Sequence, residues 1–218
     1  MRLDLRSEQP NPPLLTKQKH ALVGRGAKAR VVSRDPRTVD GIVLHQTACV
    51  FGKKKTQPTR HHRALGVACH ALAFADGVSV LANPLPWLVW HGNGYNDRSL
   101  GLEVEGNFPG LVGDPRTLAM SDKPETPVTP LLISTACDAL RWLVEEGRKA
   151  GMPLRYLWAH RQSSGTRRSD PGEGLWRPIS AFAVAELGLV LEPDVVLVSK
   201  KSGSGRPIPA AWGGAGPY

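Results

Sequence analysis

The sequence of 218 residues has only three cysteines, Cys49, Cys69 and Cys137. Because their number is odd and no pair has the Cys-x-x-Cys spacing, neither a disulfide framework nor a zinc cluster of paired thiolates is supported. Long apolar runs are also missing, and no window approaches the roughly 18 apolar residues of a membrane span. Residues 1–6 lack the apolar core of a secretory signal. We therefore expect reduced cysteines and synthesis in the cytoplasm without a signal peptide.

Acidic residues are scarce at both ends of the chain. Residues 1–38 contain nine Lys/Arg and three Asp/Glu, residues 199–218 contain three Lys/Arg and no acid, and residues 39–198 contain sixteen of each. The net charge of +9 therefore lies in the ends. Basic ends attract polyanions such as anionic cell-envelope polymers, lipid headgroups or nucleic acid, and solvated ends without a specific partner are an equal alternative. Since the neutral central region has no recognition motif, we expect no specific nucleic-acid binding.

The length and the 41% hydrophobic content favour one domain with a full core. Residues 1–38 show scattered prolines and charges without a sustained period, which predicts a basic extension that wraps the surface or stays partly mobile. Order is expected to begin at Gly41. Residues 39–190 are predicted to form the functional domain and residues 191–218 a basic, Gly/Pro-rich tail. We expect a monomer.

Several apolar patterns predict strands. The continuous run at residues 42–44 is typical of a buried strand, and it places His45 at the strand's C-terminal end. Apolar residues 67–74 and 78–82 flank an Asp-Gly pair, which predicts an antiparallel hairpin. Alternation over residues 99–106 predicts another strand, with Glu103 and Glu105 on the face opposite its leucines.

Two segments have helical spacing. Thr129 as N-cap and Pro130 at the first position predict a core-packing helix that ends near Lys149. Residues 154–159 predict a last strand that delivers His160, and residues 175–187 predict a closing helix. Together these elements predict an α/β fold, a single domain with a central mixed β-sheet flanked by helices.

The loop at residues 159–172 combines an imidazole, cationic side chains and a carboxylate in a Gly- and Ser-rich setting. Functional groups collect on loops that a rigid scaffold positions. We interpret His160 and Asp170 as two ligands of a catalytic divalent metal in a cleft at the strand ends, with His45 as the third. Three protein ligands leave a fourth position open for water, as in hydrolytic zinc sites. Singly, each histidine is more often a hydrogen-bonded structural residue, so the combination carries the interpretation.

Three motifs occur together and in order: the strand-end His45, the segment Asn96-Asp97-Arg98-Ser99-Leu100-Gly101-Leu102-Glu103, and His160 followed ten residues later by Asp170-Pro171-Gly172. As a set they resemble the zinc-dependent N-acetylmuramoyl-L-alanine amidases, the type shared by phage lysozyme-like amidases, bacterial recycling amidases and animal peptidoglycan recognition proteins. The resemblance covers roughly residues 41–187. It implies one zinc ion bound by His45, His160 and Asp170, with Glu103 as the catalytic carboxylate. A carboxylate near the open position can take a proton from water, whereas a solvent-facing strand residue is the alternative.

Two residues depart from the family pattern. Arg168 stands where a lysine is common, and the resemblance implies that it stabilises the oxyanion, since a guanidinium suits anion binding and not proton transfer. Cys69 stands where phage members have tyrosine. We interpret it as a small buried residue in preference to an additional thiolate ligand. Three further residues are candidates for the substrate cleft: His91, Asn96 and Glu105. Glu105 is expected about 7 Å beyond Glu103 along the strand.

The resemblance implies a peptidoglycan hydrolase that cleaves the amide between N-acetylmuramic acid and L-alanine of the stem peptide through a zinc-activated water. We expect peptidoglycan or muropeptides as its partners, and anionic envelope polymers as partners of the basic ends. The basic ends favour a bacteriolytic phage or prophage endolysin that acts on the cell wall after release or export. The alternatives are a non-catalytic peptidoglycan-binding module on the same fold and a recycling amidase acting on cytoplasmic muropeptides.

Overall fold

A mixed seven-stranded sheet organises the molecule, whose computed structural model describes residues 1–8, 16–24, 28–199 and 203–218. The strands, in chain order, are β1 (Arg2–Asp4), β2 (Leu22–Val23), β3 (Arg30–Val31), β4 (Gly41–Gln46), β5 (Ala71–Ala73), β6 (Ser79–Leu81), β7 (Ser99–Val104), β8 (Tyr156–Ala159), β9 (Val190–Leu191), β10 (Val198–Ser199) and β11 (Gly203–Ser204). The sheet order is β1-β6-β5-β7-β4-β8-β9, while β2–β3 and β10–β11 form separate pairs.

Strand β4 lies inside the sheet, next to its central strand β7, and is parallel to β7 on one side and to β8 on the other. All six of its residues are buried, as the continuous apolar run predicts for a parallel strand covered on both faces. Its register pairs His45 with Glu103 of β7. The predicted hairpin is also confirmed, because β5 and β6 pair antiparallel. Since β4, β7 and β8 are parallel, their carboxyl ends meet at one edge of the sheet.

Two helices, α1 (Pro130–Lys149) and α2 (Glu173–Leu187), pack with the sheet in the main hydrophobic core. Thr129 caps α1 by accepting a hydrogen bond from the Leu132 N–H at 3.1 Å, so the predicted start is confirmed. The even-numbered residues of β4 and β7 supply the core face of the sheet: Ile42, Leu44, Leu100, Leu102 and Val104. Within the described residues, no helix combines the length and apolar character needed to cross a membrane.

The odd-numbered residues of the same strands point to the other face of the sheet. There Val43 packs with Trp158 and Tyr95, whose rings stack at a centroid distance of 4.5 Å. At the carboxyl end of this face the side chains become polar, with His45 on β4 and Glu103 on β7. The alternation along two parallel strands therefore places a helix-covered core on one face and chemically active groups on the other.

The expectation that order begins at Gly41 is wrong. Strand β1 pairs parallel with β6 at one edge of the sheet, and the Leu5 side chain is buried in a second hydrophobic cluster. Near the other end, Ile208 and Trp212 belong to the main core, and the Trp212 indole N–H donates to the Gly110 carbonyl. Residues 9–15, 25–27 and 200–202, which belong to the predicted extension and tail, lie outside the described residues. The domain division at residues 38/39 and 190/191 stays a prediction.

Candidate functional site

The structure brings together three residues that are far apart in the sequence, His45, His160 and Asp170. Their ligand atoms all lie within 4.8 Å of one another, and all three residues are buried. His45 Nδ1 is 2.9 Å from His160 Nδ1, which is 2.9 Å from Asp170 Oδ2. We call these residues the ligand cluster. His45 is the second-last residue of β4, while His160 and Asp170 lie on the segment that follows β8.

Gln46 fixes the loop that carries Asp170. Its backbone N–H donates to Asp170 Oδ1 at 2.9 Å, and its side-chain amide donates to the carbonyls of Ser169 (2.6 Å) and Pro171 (3.0 Å). Its Oε1 accepts from the Phe108 N–H at 2.7 Å. Gln46 was not a candidate in the sequence, although a polar residue directly after a buried apolar run is a signal that could have identified it.

His91 lies directly behind His45. His45 Nε2 is 3.1 Å from His91 Nδ1, and His91 Nε2 is 3.2 Å from the Ser99 carbonyl. Because the carbonyl can only accept, the consistent tautomers have His91 donating from Nε2 and His45 donating from Nε2 to His91. His45 Nδ1 is then left with a free lone pair toward His160 and Asp170. Burial lowers the pKa of His91 to about 3, so this ring stays neutral.

Two further residues hold His91 in place. Asn96 Oδ1 accepts hydrogen bonds from the N–H groups of His91 (2.9 Å) and Gly92 (2.7 Å). Gly101 lies against the His91 ring, because a Cβ at this position would come within 2.7 Å of the His91 Cγ atom. The glycine of the Ser-Leu-Gly-Leu-Glu segment therefore makes room for the imidazole. His91 and Asn96, predicted for the substrate cleft, also support the ligand cluster.

Arg34 braces the same region from a segment predicted to be a surface extension. Its Nη1 donates to the carbonyls of Asn96 (2.5 Å) and Ser99 (2.7 Å), and its Nη2 donates to the Leu85 carbonyl at 3.0 Å. Burial lowers the pKa of this guanidinium to about 10, so it remains charged near neutral pH. The Ser99 carbonyl thus accepts hydrogen bonds from both Arg34 and His91. Nothing in the sequence around Arg34 marks it as a supporting residue.

Glu103 lies beside His45 in the β4–β7 register and on the same face of the sheet. Within the described residues its Oε2 atom is buried and has no hydrogen-bond partner. Burial, followed by the neighbouring Asp170 carboxylate, raises the pKa of Glu103 well above its usual value, whereas Arg167 opposes this rise. An unpartnered buried carboxyl oxygen costs stability, so this oxygen is available to a bound ligand.

Cys69 is fully buried, and burial raises the pKa of its thiol well above the ordinary value. It is a small interior residue and lies outside the ligand cluster. The interpretation of Cys69 as a packing residue is therefore confirmed.

Glu105 does not lie in the substrate cleft, contrary to the expectation. Its carboxylate is fully buried and accepts hydrogen bonds from the N–H groups of Phe51 (2.7 Å) and Ala75 (3.0 Å) and from the Arg60 guanidinium. Strand β7 ends at Val104, so the alternation that aligned Glu105 with Glu103 does not continue to this position. Glu105 is an interior anchor that joins the loop at Phe51, the turn at Ala75 and the 3-10 helix that begins at Arg60.

The two arginines before Asp170 face different neighbours. The Arg168 guanidinium lies over the Tyr218 ring, 5.4 Å from its centroid. Burial lowers the pKa of His45 well below its usual value, and the nearby charge of Arg167 adds to this fall, whereas at Glu103 the same charge opposes the rise in pKa that burial causes. The oxyanion role of Arg168 stays a prediction, and Arg167 is a second cation close to His45 and Glu103. The sequence pattern could not separate two adjacent arginines on one exposed loop.

Two cavities flank the ligand cluster. One, of about 300 Å³, borders Asp170 and is lined by Gln46, Arg116, Thr117, Arg167, Arg168 and Tyr218 among others. We call it the arginine cavity. The other, of about 340 Å³, borders His160 and is lined by Trp90, His91, Asn93, Asn96, Ser164 and Arg167 among others. We call it the tryptophan cavity. Thr166 and Arg167 line both cavities and so mark the boundary between them.

The ligand cluster suits a divalent metal. Two imidazole nitrogens and one carboxylate oxygen form a donor set typical of hydrolytic zinc sites. The ligand atoms of the three residues lie within 4.8 Å of one another, and neighbouring ones are 2.9 Å apart, so the group is compact enough to hold one metal ion. His45 and Asp170 also have the supporting hydrogen bonds, from His91 and from the Gln46 N–H, that orient metal ligands in proteins.

Comparisons with known proteins agree with this geometry. Residues 35–173 match the family model described as N-acetylmuramoyl-L-alanine amidase. No match was found among curated proteins. Similar solved structures include Drosophila peptidoglycan recognition protein SD, at 19% identity and a TM-score of 0.50, covering 90% of this chain and 99% of that one. Peptidoglycan recognition protein LE in complex with tracheal cytotoxin has 17% identity and a TM-score of 0.50, covering 82% and 92%.

An endolysin amidase, LysCS from Clostridium intestinale URNW, has 18% identity and a TM-score of 0.48, covering 87% of this chain and 97% of that one. At these identities the solved structures show the fold alone, and the family model carries the assignment. The match covers more than half of the chain and includes His45, His160 and Asp170. The chain therefore belongs to the N-acetylmuramoyl-L-alanine amidase family.

Proposed function

We propose that the protein is a zinc-dependent peptidoglycan hydrolase that cleaves the amide bond between N-acetylmuramic acid and the L-alanine of the stem peptide. The observation that carries this proposal is the buried ligand cluster with the unpartnered Glu103 carboxyl oxygen on the neighbouring strand. A binding module needs neither a three-ligand set nor a carboxyl group left without a partner. Membership of the amidase family supports the same activity.

In this proposal His45, His160 and Asp170 hold the zinc ion, which supplies Lewis acidity toward the scissile carbonyl and the attacking water. Glu103 accepts a proton from that water and delivers it to the leaving nitrogen of L-alanine. Burial raises the pKa of Glu103, which favours the second step because a carboxyl group with a higher pKa holds the accepted proton until the leaving nitrogen takes it. We assign the positive charge for the oxyanion to Arg167 in preference to Arg168, because Arg167 is the one that interacts with Glu103 while Arg168 lies over the Tyr218 ring.

The proposal is tested by incubating the zinc-loaded protein with purified peptidoglycan and identifying the products by mass spectrometry. Hydrolysis of the proposed bond releases peptides that begin with a free L-alanine amino group and leaves glycan chains with unmodified lactyl carboxylates. Glu103→Gln, which retains the shape of the side chain, serves as the inactive control. Cleavage at any other bond, or full activity of Glu103→Gln, contradicts the proposed reaction.

The second candidate is a peptidoglycan-binding module without activity. It is favoured only by the likeness in fold to peptidoglycan recognition proteins. If this candidate is correct, the wild-type protein sediments with peptidoglycan but releases no peptide from it in the presence of zinc. The product analysis therefore separates the two candidates directly.

We further propose that the substrate is the intact wall, as for an endolysin, and not a cytoplasmic muropeptide. The support is the positive charge of the chain ends, including the exposed Lys17, Lys28 and Arg30. Rates on purified walls and on small soluble muropeptides distinguish the two substrates. A recycling enzyme prefers the soluble fragment, whereas a lysin prefers the wall and clears a zymogram.

A further inference from the structure

The arginine cavity is the most positively charged recess beside the ligand cluster. Three arginines line it, Arg116, Arg167 and Arg168, and among its described lining residues Asp170 is the one acidic side chain. Both oxygens of that carboxylate are engaged, one by the Gln46 N–H and the other by His160. The cavity therefore presents unbalanced positive charge immediately next to the proposed metal.

The arginines of this cavity differ from others on the protein surface. Arg2, Arg6 and Arg98 each form an ion pair with a carboxylate. Within the described residues, Arg167 and Arg168 form no ion pair. Arg116 pairs only with Asp114, two positions before it in the sequence, and its side chain is 88% exposed, so this pair is weak. The cationic groups are thus available to an incoming anion.

Tyr218 forms one wall of the cavity, and its neighbours hold it in place without a ligand. Its phenol oxygen is 2.9 Å from Ser169 Oγ, and its ring lies 5.4 Å from the guanidinium of Arg161 as well as from that of Arg168. Arg161 is fully buried and donates to the carbonyls of Pro207 (3.0 Å) and Arg168 (2.6 Å). Tyr218 is therefore fixed, and it holds the Arg168 side chain against the cavity wall.

From these observations we infer that the arginine cavity binds a free carboxylate of the stem peptide, on the side of the scissile bond away from the sugar. This inference rests on the proposed function. The stem peptide is acidic, and the residue after L-alanine carries a carboxyl group that can be free or amidated. Planar guanidinium groups bind carboxylates through paired, charge-assisted hydrogen bonds. The tryptophan cavity contains one cation, Arg167, so the anionic part of the substrate is directed to the arginine cavity.

The consequence is a specificity for stem peptides with a free carboxylate over amidated ones. The test uses two soluble muropeptides that differ only in the second residue of the stem, where one has the free carboxyl group and the other its amide. We expect the zinc-loaded wild-type protein to favour the free acid by about tenfold in kcat/KM, the scale of a hydrogen bond to a charged group. The preference should shrink as salt is raised, because these cations are exposed and screened.

Arg168→Gln and Arg116→Gln are each expected to bring the acid-to-amide ratio closer to one. Arg155→Gln is the matched control, because Arg155 is also exposed and also lies 5.4 Å over a tyrosine ring, that of Tyr156. Arg155 directly precedes β8, whereas the ligand cluster lies at the other, carboxyl end of this strand. The Arg155→Gln variant should therefore keep the wild-type ratio. Arg116→Gln leaves the stacking of Arg168 on Tyr218 intact. A changed acid-to-amide ratio in this variant therefore cannot be explained by a rearranged cavity wall.

Equal rates of the wild-type protein on the two muropeptides, or unchanged ratios in both cavity variants, overturn the inference. An equal fall in kcat on both substrates in Arg168→Gln gives that residue the oxyanion role instead and also overturns it. If neither muropeptide is cleaved, the proposed function fails, and calorimetry with the same two compounds decides the inference separately. The free acid should then bind about tenfold more tightly than the amide to the wild-type protein and about equally to Arg168→Gln.

Discussion

At the scale of single residues, Glu103 and Glu105 show how the same side chain serves two purposes. Glu103 has a buried oxygen without a partner, whereas Glu105 accepts from two backbone N–H groups and from Arg60. We expect Glu103→Gln to retain zinc and to lower kcat by about 10² or more, the usual effect of losing a general base. Its melting temperature should equal or exceed that of the wild type, because a poorly satisfied buried carboxyl group is removed.

Glu105→Gln provides the contrast. Removing a buried charge that is paired with Arg60 should lower the free energy of unfolding by at least about 2 kcal/mol. Zinc content of the folded fraction should not change. Urea titrations and metal analysis of the two variants check both expectations. Destabilisation by Glu103→Gln together with unchanged turnover would make Glu103 the structural residue of the pair.

A second prediction concerns the ligand cluster. We expect one zinc ion per chain, removed by chelation together with activity and restored by added zinc. His45→Ala should lose the bound zinc and the rise in melting temperature that zinc gives the wild type, since a ligand that binds only the native state stabilises it. His61→Ala is the control, because His61 pairs with Asp76 outside the cluster. An active, metal-free wild-type protein contradicts the assignment.

The sequence was sufficient to predict the ligand cluster because each ligand follows a recognisable strand or precedes a recognisable turn. The supporting residues could not be predicted in the same way. Arg34 acts on carbonyls more than 60 positions away, and Gln46 acts on a loop more than 120 positions away. Such contacts depend on where loops meet in three dimensions, which periodicity does not encode. Glu105 was misplaced because alternation was extended one residue past the end of the strand.

At the scale of elements, the fit between β7 and the His91 turn leads to a third prediction. Gly101→Ala puts a methyl group where the His91 ring lies, and the displaced imidazole can no longer orient His45. We expect zinc affinity to fall about 10- to 100-fold, the usual effect of disturbing a residue that supports a metal ligand. Gly52→Ala is the control, since a Cβ there meets no atom within 4 Å. Competition with a chromophoric chelator measures the affinity, and equal values for the two variants would contradict this role of His91.

Helix α1 and strands β4 and β7 were predicted well because their signals are local. A threonine cap and a proline define the start of α1, and alternating or continuous apolar residues define the strands. Strand β1 is different. It has three residues, two of them charged, and its partner β6 lies 77 positions later. A short edge strand of this composition has no periodic signal, so residues 2–4 could not be recognised as part of the sheet.

At the scale of the whole molecule, buried histidines make stability depend on pH. Burial, reinforced by Arg34, lowers the pKa of His70 well below its usual value of 6.5, and burial lowers that of His20. Below pH 6.5 the unfolded chain therefore binds protons that the folded chain excludes. Stability is present above pH 6.5 and is lost as pH falls toward the folded-state values.

Each histidine whose pKa in the folded protein lies far below 6.5 contributes about 1.4 kcal/mol per pH unit to the slope of the unfolding free energy below pH 6.5. We expect His70→Gln to reduce the slope of the unfolding free energy between pH 6.5 and 5 by about this amount, measured on metal-free protein. Its absolute stability at pH 7 is expected to be lower, because the bond between the Gly101 N–H and His70 Nδ1 is lost. An unchanged slope would mean that His70 is protonated in the folded protein.

The basic ends lead to a prediction about substrate binding. Lys17→Gln, Lys28→Gln and Arg30→Gln, combined in one variant, change three exposed side chains and leave Arg34, Leu5 and β1 intact. We expect weaker binding to anionic walls at low salt and no difference near 1 M salt, where the screening length is about 3 Å. Cleavage of a soluble muropeptide should match the wild type. Equal wall binding at low salt would show that these charges are only solvated.

The position of β4 between two strands that come later in the chain also sets an order of events during synthesis. His45 is made before its neighbours in β7 and β8 and before the other two residues of the ligand cluster, and Gln46 and Asp170 are 124 positions apart. At about 5–20 residues per second, roughly 6 to 25 s separate the first ligand from the last. The three residues of the ligand cluster therefore come together only after Asp170 has been made, so a metal held by all three would be captured at that stage or later.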